Sequence, residues 1–157
     1  QIYGQARQAT SEDLVLLSTS SVIGTTVAGA PASINVNGIS YPLANQYILS
    51  KTEKEKVLKA TAAYNASLQA IAASKGLAFV DANAKMTELS SASGIQFDAV
   101  KYTATFVTGG TFSLDGVHLT GRGYALIANE FISAINAKYN SNLPMVNVNS
   151  YSGIKFP

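Results

Sequence analysis

The apolar and polar positions change rhythm several times along the chain. Leu14-Val15-Leu16-Leu17, closed by Ser18-Thr19-Ser20-Ser21, is apolar without interruption, the pattern of a short strand buried on both faces of a parallel sheet. Ile34-Asn35-Val36-Asn37-Gly38-Ile39-Ser40-Tyr41 alternates around Asn-Gly, which predicts a small β-hairpin insertion with a type I′ turn. A long helix is predicted over 52–75, with Thr52 and Glu55 as a capping box and Gly76 as the stop after Lys75. Val57, Ala60, Tyr64, Leu68, Ile71 and Ala72 make one face of it, expected to pack on the sheet, and Lys54, Lys56 and Lys59 lie largely opposite. Leu77-Ala78-Phe79-Val80-Asp81 predicts a second buried strand. Residues 14–81 thus read as strand, helix, strand, for which a right-handed parallel crossover is the default.

Further on, a short helix is predicted over 83–89, and residues 95–107 are β-branched and aromatic enough for one or two strands or an extended excursion. After Gly109-Gly110 comes Phe112-Ser113-Leu114-Asp115-Gly116-Val117-His118-Leu119-Thr120, with Thr120 as N-cap of a last helix. Tyr124, Ile127, Ala128, Phe131, Ile132 and Ile135 are its expected buried stripe. Residues 140–157, polar and with two prolines, read as a surface tail, leaving a core over 13–139.

Composition narrows the function. At 157 residues and 47% apolar the chain has the size of one domain. Its net charge is +2 and its nine lysines are scattered over 51–155, so nucleic acid is not an expected partner. Without cysteine, thiolate metal sites, disulfides and a cysteine nucleophile are excluded. One histidine and nine scattered carboxylates leave a transition-metal site short of ligands, so neither metal nor cofactor is expected. No apolar run is long enough to span a membrane. The start Gln1-Ile2-Tyr3-Gly4, lacking Met, reads as a processed or truncated product, and the Ser, Thr, Asn and Gly content suits an extracellular, periplasmic or outer-membrane-associated protein.

The candidate chemistry is Asp115-Gly116-Val117-His118. An aspartate three residues before a histidine can fold back within one turn, holding Nδ1 and leaving Nε2 free to take a proton from a nucleophile. The spacing alone favours a structural histidine near a helix start. The flanking residues distinguish the two. Phe112-Ser-Leu-Asp115-Gly-Val-His118-Leu-Thr-Gly-Arg-Gly-Tyr124 followed by an apolar helix resembles the last conserved block of SGNH (GDSL-type) hydrolases, with Leu119 where the family commonly has proline. Leu14-Leu17, the helix over 52–75 and Gly76-Leu-Ala-Phe-Val-Asp81 resemble the family's fourth strand, next helix and fifth strand, so the likeness covers residues 14–139.

The resemblance implies an α/β fold, a three-layer α/β/α sandwich with a parallel sheet (flavodoxin-like), of which residues 1–157 supply the last strands and helices. It implies a serine esterase or lipase in which His118 is the base and Asp115 orients it. The nucleophile and oxyanion donors would come from an N-terminal portion of the same protein, since Gly-Asp-Ser occurs nowhere in this chain. Two buried strands are also too few to cover two helix layers, which agrees with a missing part. The expected substrate is a small ester, a lipid or an acylated glycan. The alternative is a non-catalytic surface-binding or assembly component.

Other residues carry plainer expectations. Ser113 lacks the glycine-bounded turn of a nucleophile. Asp81 is expected to cap a helix, Arg122 to sit at a solvated helix start although it could meet an anionic group, and Tyr124 to lie in the core. Asn65-Ala66-Ser67 matches a glycosylation acceptor inside a predicted helix.

Overall fold

Helix ends in this chain lie where side-chain oxygens and left-handed residues can satisfy the orphan backbone groups. In the computed structural model, which describes residues 4–154, α1 spans Lys51–Lys75. Its start is closed by Ser50 and Glu53, not by Thr52 and Glu55: the Glu53 carboxylate accepts both the Ser50 N–H, at 2.9 Å, and the Ser50 hydroxyl, at 2.6 Å. Its end is a Schellman motif, with Leu77 N–H on the Ala72 carbonyl, Gly76 N–H on the Ala73 carbonyl, and Gly76 at φ +66°. Asp81 caps α2 (Ala82–Ser90) by accepting the Ala84 N–H at 2.9 Å. Thr120 caps α3 (Gly121–Tyr139) by accepting the Gly123 N–H at 3.1 Å, and Asn140 at φ +51° closes it.

The chain mixes helices with strands. Among the described residues the strands form two antiparallel two-stranded sheets, and the chain divides at Tyr64/Asn65 into two units.

In the first unit β1 (Leu14–Val15) pairs antiparallel with β2 (Ile48–Leu49), Leu14 opposite Leu49. The reading of Leu14-Leu17 as a strand buried on both faces is thereby corrected: only two of the residues are in a strand, and all four are exposed. A doubly buried strand needs neighbours on both edges and both faces, and the described residues of this unit supply one short edge partner. Thr19, wholly buried, donates its hydroxyl to the Tyr47 carbonyl at 2.9 Å.

The Asn37-Gly38 hairpin is also corrected. Val36 bridges Thr26, Asn37 N–H bonds the Thr25 carbonyl, and the Val36 carbonyl accepts N–H groups from Ile39, Ser40 and Tyr41. Residues 35–37 therefore pair with 24–27, and only Gly38 of the Asn-Gly pair has positive φ, whereas a type I′ turn needs both.

A single carboxylate organises the start of this unit. The Asp13 side chain, 3% exposed, accepts both Arg7 terminal nitrogens at 2.7 and 2.6 Å, the Thr10 N–H and hydroxyl, and the Lys51 N–H at the start of α1. The Arg7 guanidinium is the largest influence holding this carboxyl far below the usual range, followed by the Thr10 N–H.

In the second unit β3 (Ile95–Phe97) and β4 (Val100–Tyr102) form a hairpin through Asp98 and Ala99, both at positive φ. The core is Leu89, Tyr102, Ala125, Leu126 and Val148, flanked by Met86, Ile95, Phe97, Ala104, Phe112 and Val146. Leu77-Asp81 lies in no strand, so the parallel crossover is not among the described pairings.

The face of α3 that is buried differs from the expected stripe. Gly123, Ala125, Leu126 and Asn129 point inward, while Tyr124 and Phe131 are more than half exposed, so Tyr124 is not a core residue. The reason is the segment after α3. Asn129 Nδ2 donates to the Val146 carbonyl at 2.9 Å and its Oδ1 accepts the Val146 N–H at 2.8 Å. Asn136, two turns later, treats Leu143 the same way. These paired bonds lay residues 143–146 along α3 and bring Val148 into the core with no exposed surface, so the segment expected as a surface tail is anchored at Val148 although most of its described residues are exposed; residues 155–157 lie outside the described residues.

Candidate functional site

The loop carrying Asp115 and His118 is closed at its base like a short hairpin. Phe112 bridges Leu119, Ser113 N–H meets the His118 carbonyl at 2.8 Å, and Gly116 at φ +71° makes the turn. Beneath it, Thr111 is wholly buried, donates to the Thr103 carbonyl, and accepts the Thr120 N–H at 2.8 Å. Thr120 donates its hydroxyl to the Gly110 carbonyl. The loop is thus pinned between the end of β4 and the start of α3.

Glycine at 123 permits this arrangement. A Cβ there would lie 2.3 Å from the Thr111 carbonyl oxygen and 3.0 Å from the Leu119 Cβ, so α3 reaches the loop's base only because Gly123 has no side chain.

Within the loop the two predicted residues come together. Asp115 Oδ2 meets His118 Nδ1 at 2.6 Å, and Asp115 Oδ1 accepts the Ser113 hydroxyl at 2.6 Å, the Val117 N–H at 2.8 Å and the His118 N–H at 2.9 Å. The Ser113 hydroxyl is the first cause holding this carboxyl well below the usual range; the Val117 N–H, the imidazole and the His118 N–H follow. An ionised carboxylate on Nδ1 favours the tautomer with the proton there, leaving the Nε2 lone pair outward. The His118 side chain is 71% exposed, and Nε2 has no hydrogen-bond partner among the described residues.

Sequence reasoning missed Ser113 as the residue that steadies Asp115. The signal is in the sequence, since a serine two residues before an aspartate can close a turn of this kind. As a nucleophile it is misplaced, its hydroxyl being bonded to the carboxylate instead of the imidazole.

Arg122 stands in the first turn of α3, partly exposed. Its Nε donates to the Tyr151 carbonyl at 2.8 Å and its N–H to the Ser152 carbonyl at 3.2 Å. It lines a cavity of about 500 Å³ with Val107, Gly110 and residues 150–154. Asp81 is a cap, as expected, and Asn65-Ala66-Ser67 lies within α1. Among the described residues no three His, Cys, Asp or Glu side chains gather as a metal site requires, and no helix is long and apolar enough to cross a membrane.

Comparison of the chain with protein-family models, with curated proteins and with solved structures finds no match.

Proposed function

We propose that this chain carries the base half of a serine ester hydrolase of the SGNH (GDSL) kind, with His118 as base and Asp115 as its orienting partner. The observation that carries the reading is the His118 ring, fixed through Nδ1 at 2.6 Å by an ionised carboxylate while Nε2 faces solvent.

In this mechanism Nε2 takes the proton of a serine hydroxyl as its oxygen attacks the ester carbonyl. The same proton passes to the departing alcohol, and water then attacks the acyl-enzyme with His118 again as base. Nothing in these steps calls for a cofactor.

The serine and the oxyanion donors would come from an N-terminal portion of the same protein, completing a three-layer α/β/α sandwich with a parallel sheet. Support for such a covering partner is the apolar surface each unit leaves in solvent. In the first unit Leu14, Val15, Val57 and Leu58 are each at least 47% exposed; in the second, Leu68, Ile71, Tyr124 and Phe131 are each more than half exposed. A location outside the cytoplasm is part of the same proposal.

The test is His118→Ala in the protein expressed from its complete gene. Loss of at least about a thousandfold in kcat/KM on a short acyl ester is expected. Near wild-type turnover would sink the reading.

A second reading, a non-catalytic surface-binding or assembly component, is favoured by one observation: among the described residues no hydroxyl is bonded to His118. Absence of any His118-dependent hydrolysis would select it.

A further inference from the structure

We propose that the cavity lined by Arg122 is a binding site for a small organic carboxylate, gripped by the two terminal nitrogens of the guanidinium. The inference does not depend on the hydrolase reading, since it uses neither Asp115 nor His118. The cavity measures about 500 Å³, within the range of small-molecule sites. Arg122 is the one charged residue in its lining, and no acidic residue faces it there.

The guanidinium is held in place before any ligand arrives. Its Nε donates to the Tyr151 carbonyl at 2.8 Å, while the Arg122 N–H donates to the Ser152 carbonyl at 3.2 Å. With Nε occupied, Nη1 and Nη2 remain, and neither has a hydrogen-bond or ion-pair partner among the described residues. These two nitrogens form the planar fork that matches both oxygens of a carboxylate. Gly153 lies beside the fork: a Cβ there would stand 3.6 Å from Arg122 Cδ and from Nη1, so its lack of a side chain keeps the guanidinium accessible. The start of α3 is not itself the anion site, because its Gly123 and Tyr124 N–H groups are already bonded to Thr120.

Charge and lining choose the ligand. One guanidinium balances the single negative charge of a carboxylate, whereas a phosphate monoester carries nearly two at neutral pH. Ser150 and Ser152 also line the cavity, and neither hydroxyl is bonded to another described residue, so both are available as donors. Val107, Tyr151 and Ile154 supply apolar wall for the body of an organic acid. A partly buried cation fixed by its own backbone but lacking a counter-charge is half of an ion pair, and the cavity is where the other half fits.

The experiment is titration calorimetry of the protein expressed from its complete gene with benzoate, with benzamide as the uncharged ligand of the same shape, and with phenyl phosphate. Benzoate should bind with Kd of about 1 mM, and benzamide at least about tenfold more weakly. Arg122→Gln should weaken benzoate at least about tenfold, and Arg122→Lys, which keeps the charge but not the fork, by less. Arg122→Gln also loses the bond to Tyr151, so Gly153→Leu is the deciding variant if that protein does not fold. Its side chain should cover Nη1 and abolish benzoate binding while both bonds from Arg122 to residues 151 and 152 remain, and because Gly153 does not have a positive φ the melting temperature should hold. The proposal is overturned if benzoate does not bind, if benzamide binds as well, or if folded Gly153→Leu protein binds benzoate like the parent. Phenyl phosphate binding at least about tenfold tighter than benzoate would overturn the choice of a carboxylate.

Discussion

The Ser113 hydroxyl donates to Asp115 Oδ1 at 2.6 Å, on the oxygen opposite the one that faces His118. The carboxylate is thus gripped from both ends, and its orientation does not depend on the imidazole alone. If His118 and Asp115 act as in the proposed hydrolase, Ser113→Ala should lower kcat by about tenfold with little change in KM, the scale of one lost positioning hydrogen bond. On the same proposal Asp115→Asn should cost about a thousandfold or more in kcat, because an amide would no longer fix the tautomer or stabilise the imidazolium. Equal effects of the two substitutions would refute the division of roles between them.

Gly123 sits in a helix, where alanine is ordinarily the better residue by about 1 kcal/mol. Here the order should reverse. Gly123→Ala must push the Thr111 carbonyl away from 2.3 Å, and a loss of about 2 kcal/mol in chemical denaturation is expected. An alanine variant as stable as the parent would show that the close approach of α3 to Thr111 is not real.

The two asparagines that pair with the segment after α3 should differ in weight. Asn129 is 5% exposed and Asn136 only partly buried. Asn129→Ala leaves both the N–H and the carbonyl of Val146 without partners and should cost about 2–3 kcal/mol, whereas Asn136→Ala should cost about 1 kcal/mol. Urea denaturation of both variants checks the ranking.

Acid should destabilise the fold through Asp13 and Asp115. Both are held below their ordinary value of 3.8 by the donors around them, so the unfolded chain takes up protons at higher pH than the folded one. Their contribution is complete above about pH 4 and fades as pH falls through the lower, folded values. The melting temperature should therefore drop below about pH 4, and Asp13→Asn should flatten that slope while lowering the plateau.

Helix ends were legible in the sequence because capping is local: Asp81, Thr120 and Gly76 do what their types and spacing imply. At the start of α1 two overlapping Ser/Thr-x-x-Glu patterns competed, and Ser50 with Glu53 prevailed. The Asp115–His118 pair was legible for the same reason, lying within a single turn. Strand pairing was not. Leu14 finds Leu49, and residues 35–37 find 24–27, choices that depend on chain distant in sequence. The Asp98-Ala99 turn escaped notice because Ala99 takes a positive φ without being glycine. The inward face of α3 escaped because Asn129, polar by type, is buried by bonding a backbone seventeen residues later.

Val148 fills the floor beneath Tyr102, whose hydroxyl bonds Asn149 Oδ1. A designer of expression vectors, guided by helix boundaries, would stop the chain after Tyr139. That cut would excavate the second unit from below, stranding the Tyr102 phenol and two asparagine amides over a void. The useful C-terminal limit for engineering therefore lies past Asn149, ten residues beyond where periodicity ends.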